Sequence, residues 1–256
     1  MKILAVYNIK GGVGKTASSV NLSYLSARDG LSTLVWDLDP QGAASFYFRV
    51  RPKVKGGGKK LLKGKRPIER AIKSTDYENL DLLPADFSYR HLDLALDGVD
   101  SPHERLRSLL EPLEDEYEAV FLDCAPSISL VSEAVFAAAD ALVVPMIPTT
   151  LSLRTLAQLL EFREANGLGH LGIFPFFSMV DRRKALHRDV CRDLPQQYPD
   201  VLSSVVPYAT EVEKMGLERA PVCAFAPRSE AAEAYAHLWD ELRWRCLLYT
   251  SDAADE

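Results

Sequence analysis

This sequence predicts an α/β fold: a single doubly wound, mostly parallel sheet with helices on both faces. Two observations carry that reading. Apolar runs of strand length alternate with helix-length amphipathic stretches along most of the chain, the pattern expected when parallel strands are joined by crossover helices. Several of the short runs are almost wholly apolar, as strands covered on both faces must be. With 256 residues, 47% hydrophobic and 26% charged, the chain has enough material for one large core, which excludes fibrous and disordered readings.

In order, the apolar runs place strands at residues 3–7, 33–36, 80–83, 119–122, 141–145, 172–177 and 202–206. The amphipathic stretches place helices at 15–28, 103–113, 130–138, 151–166, 187–197 and 229–245. Only 51–66, rich in Lys and Gly, reads as a long loop. No internal repeat or interdomain linker is found, so residues 1–246 form one domain with a basic insertion at 49–66. Residues 247–256 have neither core periodicity nor a turn signature; they are expected to be a disordered or vector-derived tail and are set aside.

Composition narrows the function classes. The formal net charge is −6, from 30 basic and 36 acidic side chains, which on average disfavours adhesion to a polyanion. Residues 49–66 contradict that average. They carry nine basic residues and no acid, leaving 21 basic against 36 acidic elsewhere, a formal −15. Cys124, Cys191, Cys223 and Cys246 are widely spaced with no CxxC pair, which fits a reducing compartment and argues against a cysteine-rich zinc or thioredoxin-like site. No apolar run approaches the ~20 residues of a membrane span; the best stretch, 134–147, is broken by Asp140 and Pro145. The first residues run into glycines without a signal-peptide cleavage region, so a cytoplasmic location is expected.

The chemistry is concentrated in three places. Asn8-Ile9-Lys10-Gly11-Gly12-Val13-Gly14-Lys15-Thr16 lies between the first strand and the first helix. Glycines let backbone N–H groups turn inward around phosphates, and the helix N-terminus adds positive partial charge. Lys15 can reach the β and γ phosphates, and the Thr16 hydroxyl can ligate Mg2+. The loop departs from GxxxxGK[ST], since Ile9 stands at the first glycine position and Lys10 follows it. Asp37-Leu38-Asp39-Pro40-Gln41-Gly42 ends the second strand with Asp37 and Asp39 on one side of the chain at its carboxyl edge. Asp123-Cys124-Ala125-Pro126 ends another strand, placing Asp123 to hold Mg2+ through water. Either carboxylate cluster alone could be a helix or turn cap; three clusters in register favour a nucleotide site.

Together these motifs resemble the ParA/MinD group of ATPases, on the ParA side, with a deviant Walker A loop. The similarity runs from Met1 to about Arg245. It includes Leu82-Leu83-Pro84-Ala85, Ser178-Met179-Val180-Asp181-Arg182-Arg183, Val206-Pro207, Ala220-Pro221-Val222 and Ala226-Pro227-Arg228-Ser229. The resemblance implies a P-loop NTPase fold, ATP and Mg2+ as cofactors, and a homodimer that forms on ATP binding. It implies that Gly11, Gly12, Val13, Gly14, Lys15, Thr16 and Ala17 hold the nucleotide, with Met179 and Pro207 beside adenine. Thr16, Asp37 and Asp123 are the implied metal residues, and Asp39 orients or activates the attacking water. Lys10 matches the signature lysine that crosses to the partner's phosphates, while Lys15 serves its own subunit. Gly42-Ala43-Ala44 departs from the asparagine frequent after that glycine.

ParA-like proteins use such dimers to bind DNA nonspecifically and to position cargo over the nucleoid, with a ParB-like or cargo-adaptor activator. Candidate DNA contacts are Arg182, Arg183, Lys184, Arg188, Lys214 and Arg219; the alternative is a solvated helix surface. The basic insertion could bind DNA phosphates, polyphosphate or an acidic partner, or serve only as a solubilising loop. Glu230, Glu233, Asp240 and Glu241 make the last helix unlike a basic membrane anchor, and Trp239, Leu242 and Cys246 are expected to pack on the sheet. Two other classes stay open: an iron-sulfur reductase or carrier, for which Cys124 is the only suggestive thiol, and an ATP-dependent ligase, which has little need of Lys10.

Overall fold

The computed structural model describes residues 1–248, with side chains to 246. Eight strands form one sheet: β1 (Lys2–Val6), β2 (Thr33–Asp37), β3 (Lys73–Ser74), β4 (Leu80–Leu83), β5 (Ala119–Asp123), β6 (Ala141–Met146), β7 (Gly172–Val180) and β8 (Val205–Pro207). Their order is β3-β4-β2-β5-β1-β6-β7-β8, all parallel except the short antiparallel β3–β4 edge pair. Eleven α-helices are described: α1 (Lys15–Arg28), α2 (Ala43–Tyr47), α3 (Gly57–Leu62), α4 (Leu92–Leu96), α5 (Arg105–Leu110), α6 (Leu130–Ala138), α7 (Thr150–Ala165), α8 (Ala185–Gln197), α9 (Thr210–Glu218), α10 (Val222–Phe225) and α11 (Glu230–Arg243).

Period-two alternation divides the strands between two cores. Ile3, Ala5 and Tyr7 face one side with Leu106, Leu110 and Phe136. Leu4 and Val6 face the other, with Leu22, Leu25, Tyr235 and Trp239. Both faces are therefore covered, as a parallel sheet requires. Trp239 and Leu242 are fully buried and Cys246 nearly so; the Trp239 ring lies 6.1 Å from that of Phe121. The expectation that these residues pack on the sheet holds. At roughly 25 cal/mol per Å² of apolar surface, each such large side chain contributes on the order of 2 to 3 kcal/mol. β1 is central, and the chain leaves it toward β5 and β2 on one side and β6 on the other. That reversal is the switch point at which ligands enter open α/β sheets.

Two expectations are corrected. The stretch 51–66 is not a long loop: it carries α3 and is docked onto the core. Val54, Leu61 and Leu62 are buried, Val54 N–H donates to Asp86 Oδ2 at 2.8 Å, and Gly58 N–H donates to Ser88 Oγ at 2.8 Å. Gly58 is required there, because a Cβ would sit 2.7 Å from both Leu92 Cδ2 and Tyr89 Cδ1. The strand expected at 202–206 pairs only over Val205–Pro207, since Ser203 and Ser204 are turned to the Glu241 carboxylate of α11. The tail reading, beyond residue 248, lies outside the described residues.

Candidate nucleotide site

The loop from β1 to α1 stands at the carboxyl edge of the sheet. Gly14 caps α1 in the left-handed region (φ 89°), and Gly12 has φ 70°. Space also demands glycine at position 14, where a Cβ would lie 2.9 Å from Ser178 Oγ near the end of β7. Asn8 pins the start of the loop: its Nδ2 donates to the Pro145 carbonyl at 2.9 Å, and its Oδ1 accepts from Lys10 N–H at 2.9 Å.

The two lysines are held differently. Lys15 is buried, and its Nζ donates to the Lys10 carbonyl at 2.8 Å. Burial lowers its pKa, opposed by the nearby Asp123 and Asp39. Lys10 is half-buried with its Nζ 3.5 Å from Ser152 Oγ, in the first turn of α7. Both ammonium groups thus rest on single weak or neutral acceptors, a pairing that an anion can displace.

Asp37 and Asp123 are register partners in adjacent strands β2 and β5, and both are fully buried. Ser45 of α2 donates to Asp37 Oδ2 through both N–H and Oγ, each at 2.7 Å. Ser19 of α1 donates to Asp123 Oδ1 at 2.9 Å. The other oxygens, Asp37 Oδ1 and Asp123 Oδ2, accept no hydrogen bond. Burial pushes the Asp123 carboxyl up to about 8, with the facing Asp37 adding to it; burial likewise pushes Asp37 up to about 6 against the Ser45 hydrogen bonds. Two buried carboxylates with one bare oxygen each, on a hard-oxygen edge beside Thr16, fit a divalent cation that keeps waters and phosphate oxygens as its remaining ligands. Among the described residues no set of three or more His, Cys, Asp or Glu is grouped to hold a metal without such outside ligands.

Asp39 sits past the end of β2, half-buried, its Oδ1 accepting from Gln41 N–H at 2.9 Å. Gly42 then turns left-handed (φ 68°) into α2. At the other end of the site, Met179 adopts φ 55° at the irregularity between β7 and β8, and Pro207 pairs with Val180. Ser178 links this end to Gly14. Thr16, Gly11, Val13 and Ala17 belong to the loop and first turn of α1, so the expected nucleotide residues lie on one edge. Arg182, Arg183 and Lys184 lead from β7 into α8 and Arg188 lies in its first turn, while Lys214 lies on α9 and Arg219 caps its end. Cys124 is buried, its thiol donating to the Leu122 carbonyl while burial pushes its pKa up; a cluster ligand needs the reverse.

Sequence reasoning missed the residues that hold the site from behind: Asn8, Ser19, Ser45, Ser152 and Ser178. Asn8 and Ser178 lay within motifs named above without a role of their own, and Ser19 had a local signal, standing three residues after Thr16 and so on the same helix face.

A family model described as "AAA domain" matches residues 1–165. Sporulation initiation inhibitor protein Soj of Bacillus subtilis (strain 168) is 31% identical over 249 residues, covering 94% of this chain and 98% of Soj. Chromosome partitioning protein ParA of Caulobacter vibrioides (strain NA1000 / CB15N) is 30% identical over 252 residues, covering 94% of each. Among solved structures, cobyrinic acid a,c-diamide synthase from Mycobacterium smegmatis with bound ADP and magnesium is 26% identical, with a TM-score of 0.79 and 96% of both chains covered. The cell division ATPase MinD of Pyrococcus furiosus shares the fold at TM-score 0.77 and 22% identity, over 95% of this chain and 99% of that one. With its phosphate loop at the β1 switch point and relatives matched over nearly their full length, the chain belongs to the ParA/MinD family of P-loop ATPases.

Proposed function

We propose that this chain is a Mg2+-dependent ATP hydrolase that dimerises on ATP and thereby positions DNA or a protein cargo. The observation that carries the reading is the pair of buried carboxylates, Asp37 and Asp123, each with a bare oxygen at the mouth of the phosphate loop. In this reading the backbone N–H groups of residues 11–16 hold the phosphates, and Ala17 follows them in the first turn. Lys15 leaves the Lys10 carbonyl for the phosphates of its own nucleotide. Thr16, Asp37 and Asp123 hold the ion, which when bound neutralises charge on the phosphate oxygens. Asp39 orients the attacking water, and Met179 and Pro207 flank the base. Lys10 leaves Ser152 and reaches the partner's phosphates, tying hydrolysis to dimerisation, because phosphoryl transfer depends mostly on positioning and charge neutralisation.

Partitioning or positioning is supported by the names of the Soj and ParA relatives. The cytoplasmic dimer would bind DNA without regard to sequence, over the nucleoid, and be triggered by a ParB-like or cargo-adaptor protein. No described helix is long and apolar enough to cross a membrane. The test is phosphate release with and without Mg2+. Lys15→Ala should abolish nucleotide binding and turnover. Turnover that persists in Lys15→Ala, or that requires a small carboxylate acceptor, would overturn the reading.

A further inference from the structure

Two surface concavities flank the docked insertion. One lies between α2, the 49–52 segment and the end of α9, and includes Arg49, Arg51 and Arg219. The other is lined by Arg51, Lys53, Lys55, Arg66, Arg70 and Lys73, with Val50, Val54 and Ala71 at its base and no acidic side chain. They share Val50 and Arg51, so they form one elongated trough from Arg219 to the β3 edge. Among the described residues, the only ion pair made by any of these cations is Arg49 with Asp76 at 3.3 Å. Arg66 is spent on the Lys55 and Arg70 carbonyls, which fixes the trough wall while its charge stays uncompensated.

The start of α8 is different. Arg183 is bound to Asp181 by two hydrogen bonds, at 2.9 and 3.0 Å. Arg188 is turned back onto the Arg182 and Arg183 carbonyls. Farther along, Arg192 pairs with Asp189 and Asp193. Three carboxylates, Asp181, Asp189 and Asp193, are interleaved with the cations at the start of α8 and along it, whereas six cations and no acid line the second concavity of the trough, with Asp76 paired to Arg49 and Asp86 near Lys53.

We infer that the trough running from Arg219 past Arg51 to Lys73 is a binding site for the sugar-phosphate backbone of nucleic acid. The inference rests on the DNA-binding part of the proposed function and deepens it by naming the surface. Most of its charges are exposed, and they follow the length of the trough. Nonspecific backbone binding needs that arrangement, while a compact anion needs a few buried, converging donors. The trough also touches the nucleotide switch: Gly42, between Asp39 and α2, lies against Pro52, where a Cβ would be 3.0 Å from Pro52 Cβ. Arg219 donates to the Phe46 carbonyl of α2 at 3.2 Å and stacks over the Phe46 ring. A movement of α2 would therefore shift the Arg219 end of the site and its middle at Pro52.

The test is a salt titration of binding to a labelled random-sequence duplex, followed by anisotropy, using the full chain with Mg2+ and a nonhydrolysable ATP analogue. The variant Lys53→Gln/Lys55→Gln/Arg70→Gln/Lys73→Gln should flatten the log-log salt slope by about 3.5 and weaken binding at least ~10-fold, at −0.9 per neutralised phosphate. Arg182→Gln/Arg183→Gln should change the slope by less than about 1. If circular dichroism shows the fourfold variant unfolded, Lys55→Gln/Lys73→Gln replaces it, with an expected change of about 2. A folded trough variant with wild-type slope overturns the inference and leaves the DNA reading standing. A wild-type chain that binds no duplex overturns the DNA reading itself. Binding of inorganic polyphosphate but not duplex, lost in the trough variant, would reassign the surface and overturn the nucleic-acid inference.

Discussion

Replacing Gly14 by alanine should damage the site through two separable effects. The backbone there has φ 89°, which costs an L-residue roughly 1 to 2 kcal/mol relative to glycine. The new Cβ would also lie 2.9 Å from Ser178 Oγ. Ser178 is buried near the end of a strand, so the misfit adds about 1 to 3 kcal/mol of overpacking strain. The expected loss is therefore about 2 to 5 kcal/mol of unfolding free energy. Nucleotide affinity should fall by more than tenfold, because relief of the clash displaces the N–H groups that face the phosphates. Ser178→Gly removes the steric part only. In a urea double-mutant cycle, Gly14→Ala in the Ser178→Gly background should cost about 1 to 3 kcal/mol less than in wild type, with the φ penalty remaining. A single mutant as stable as wild type, or a coupling of zero, would refute the close contact between the loop and β7.

Two further outcomes are expected at the carboxylates. Asp39→Ala should lower steady-state phosphate release by a factor on the order of 10² while leaving nucleotide binding intact, because it removes water positioning only; unchanged turnover would refute the role. Asp37 and Asp123 are pushed up to about 6 and about 8, so the folded metal-free chain holds protons that the unfolded chain has released above pH ~4. Its stability should fall as pH rises from 4 to 8, the reverse of an ion-paired carboxylate. The thermal shift given by Mg2+ with nucleotide should therefore grow between pH 6 and 8.5, and Asp123→Asn should flatten that growth. A pH-independent shift in the wild type would contradict the assignment.

The strand, loop and helix signature made the phosphate loop legible, because its demands are local: glycines for positive φ, a lysine, and a helix start. The carboxylates were legible for a similar reason, each ending an apolar run. The supporting serines were not, since Ser45 meets Asp37 and Ser178 meets Gly14 only after the sheet has assembled. The basic insertion misled because its composition signals a loop. Gly56, Gly57 and Gly58 oppose a helix, yet Leu61 and Leu62 bury enough surface, and Gly58 approaches Tyr89 and Leu92 closely enough, for packing to override propensity. The α9 helix, missed between two proline-containing segments, shows the same dominance of context: only Met215 of its residues is fully buried, so its sequence carries little periodic signal.

The central claim is that ATP binding, dimerisation and Lys10 form one device. In this structure the Lys10 ammonium rests 3.5 Å from Ser152 Oγ on its own chain, and the nucleotide dimer should draw it away. Light scattering of the full chain after size exclusion, with Mg2+ and a nonhydrolysable ATP analogue, tests this directly. The wild type should move from the mass of one chain to that of two, while Lys10→Ala stays at one chain yet still binds the analogue through Lys15 and the loop. A Lys10→Ala chain that dimerises like the wild type would contradict the account.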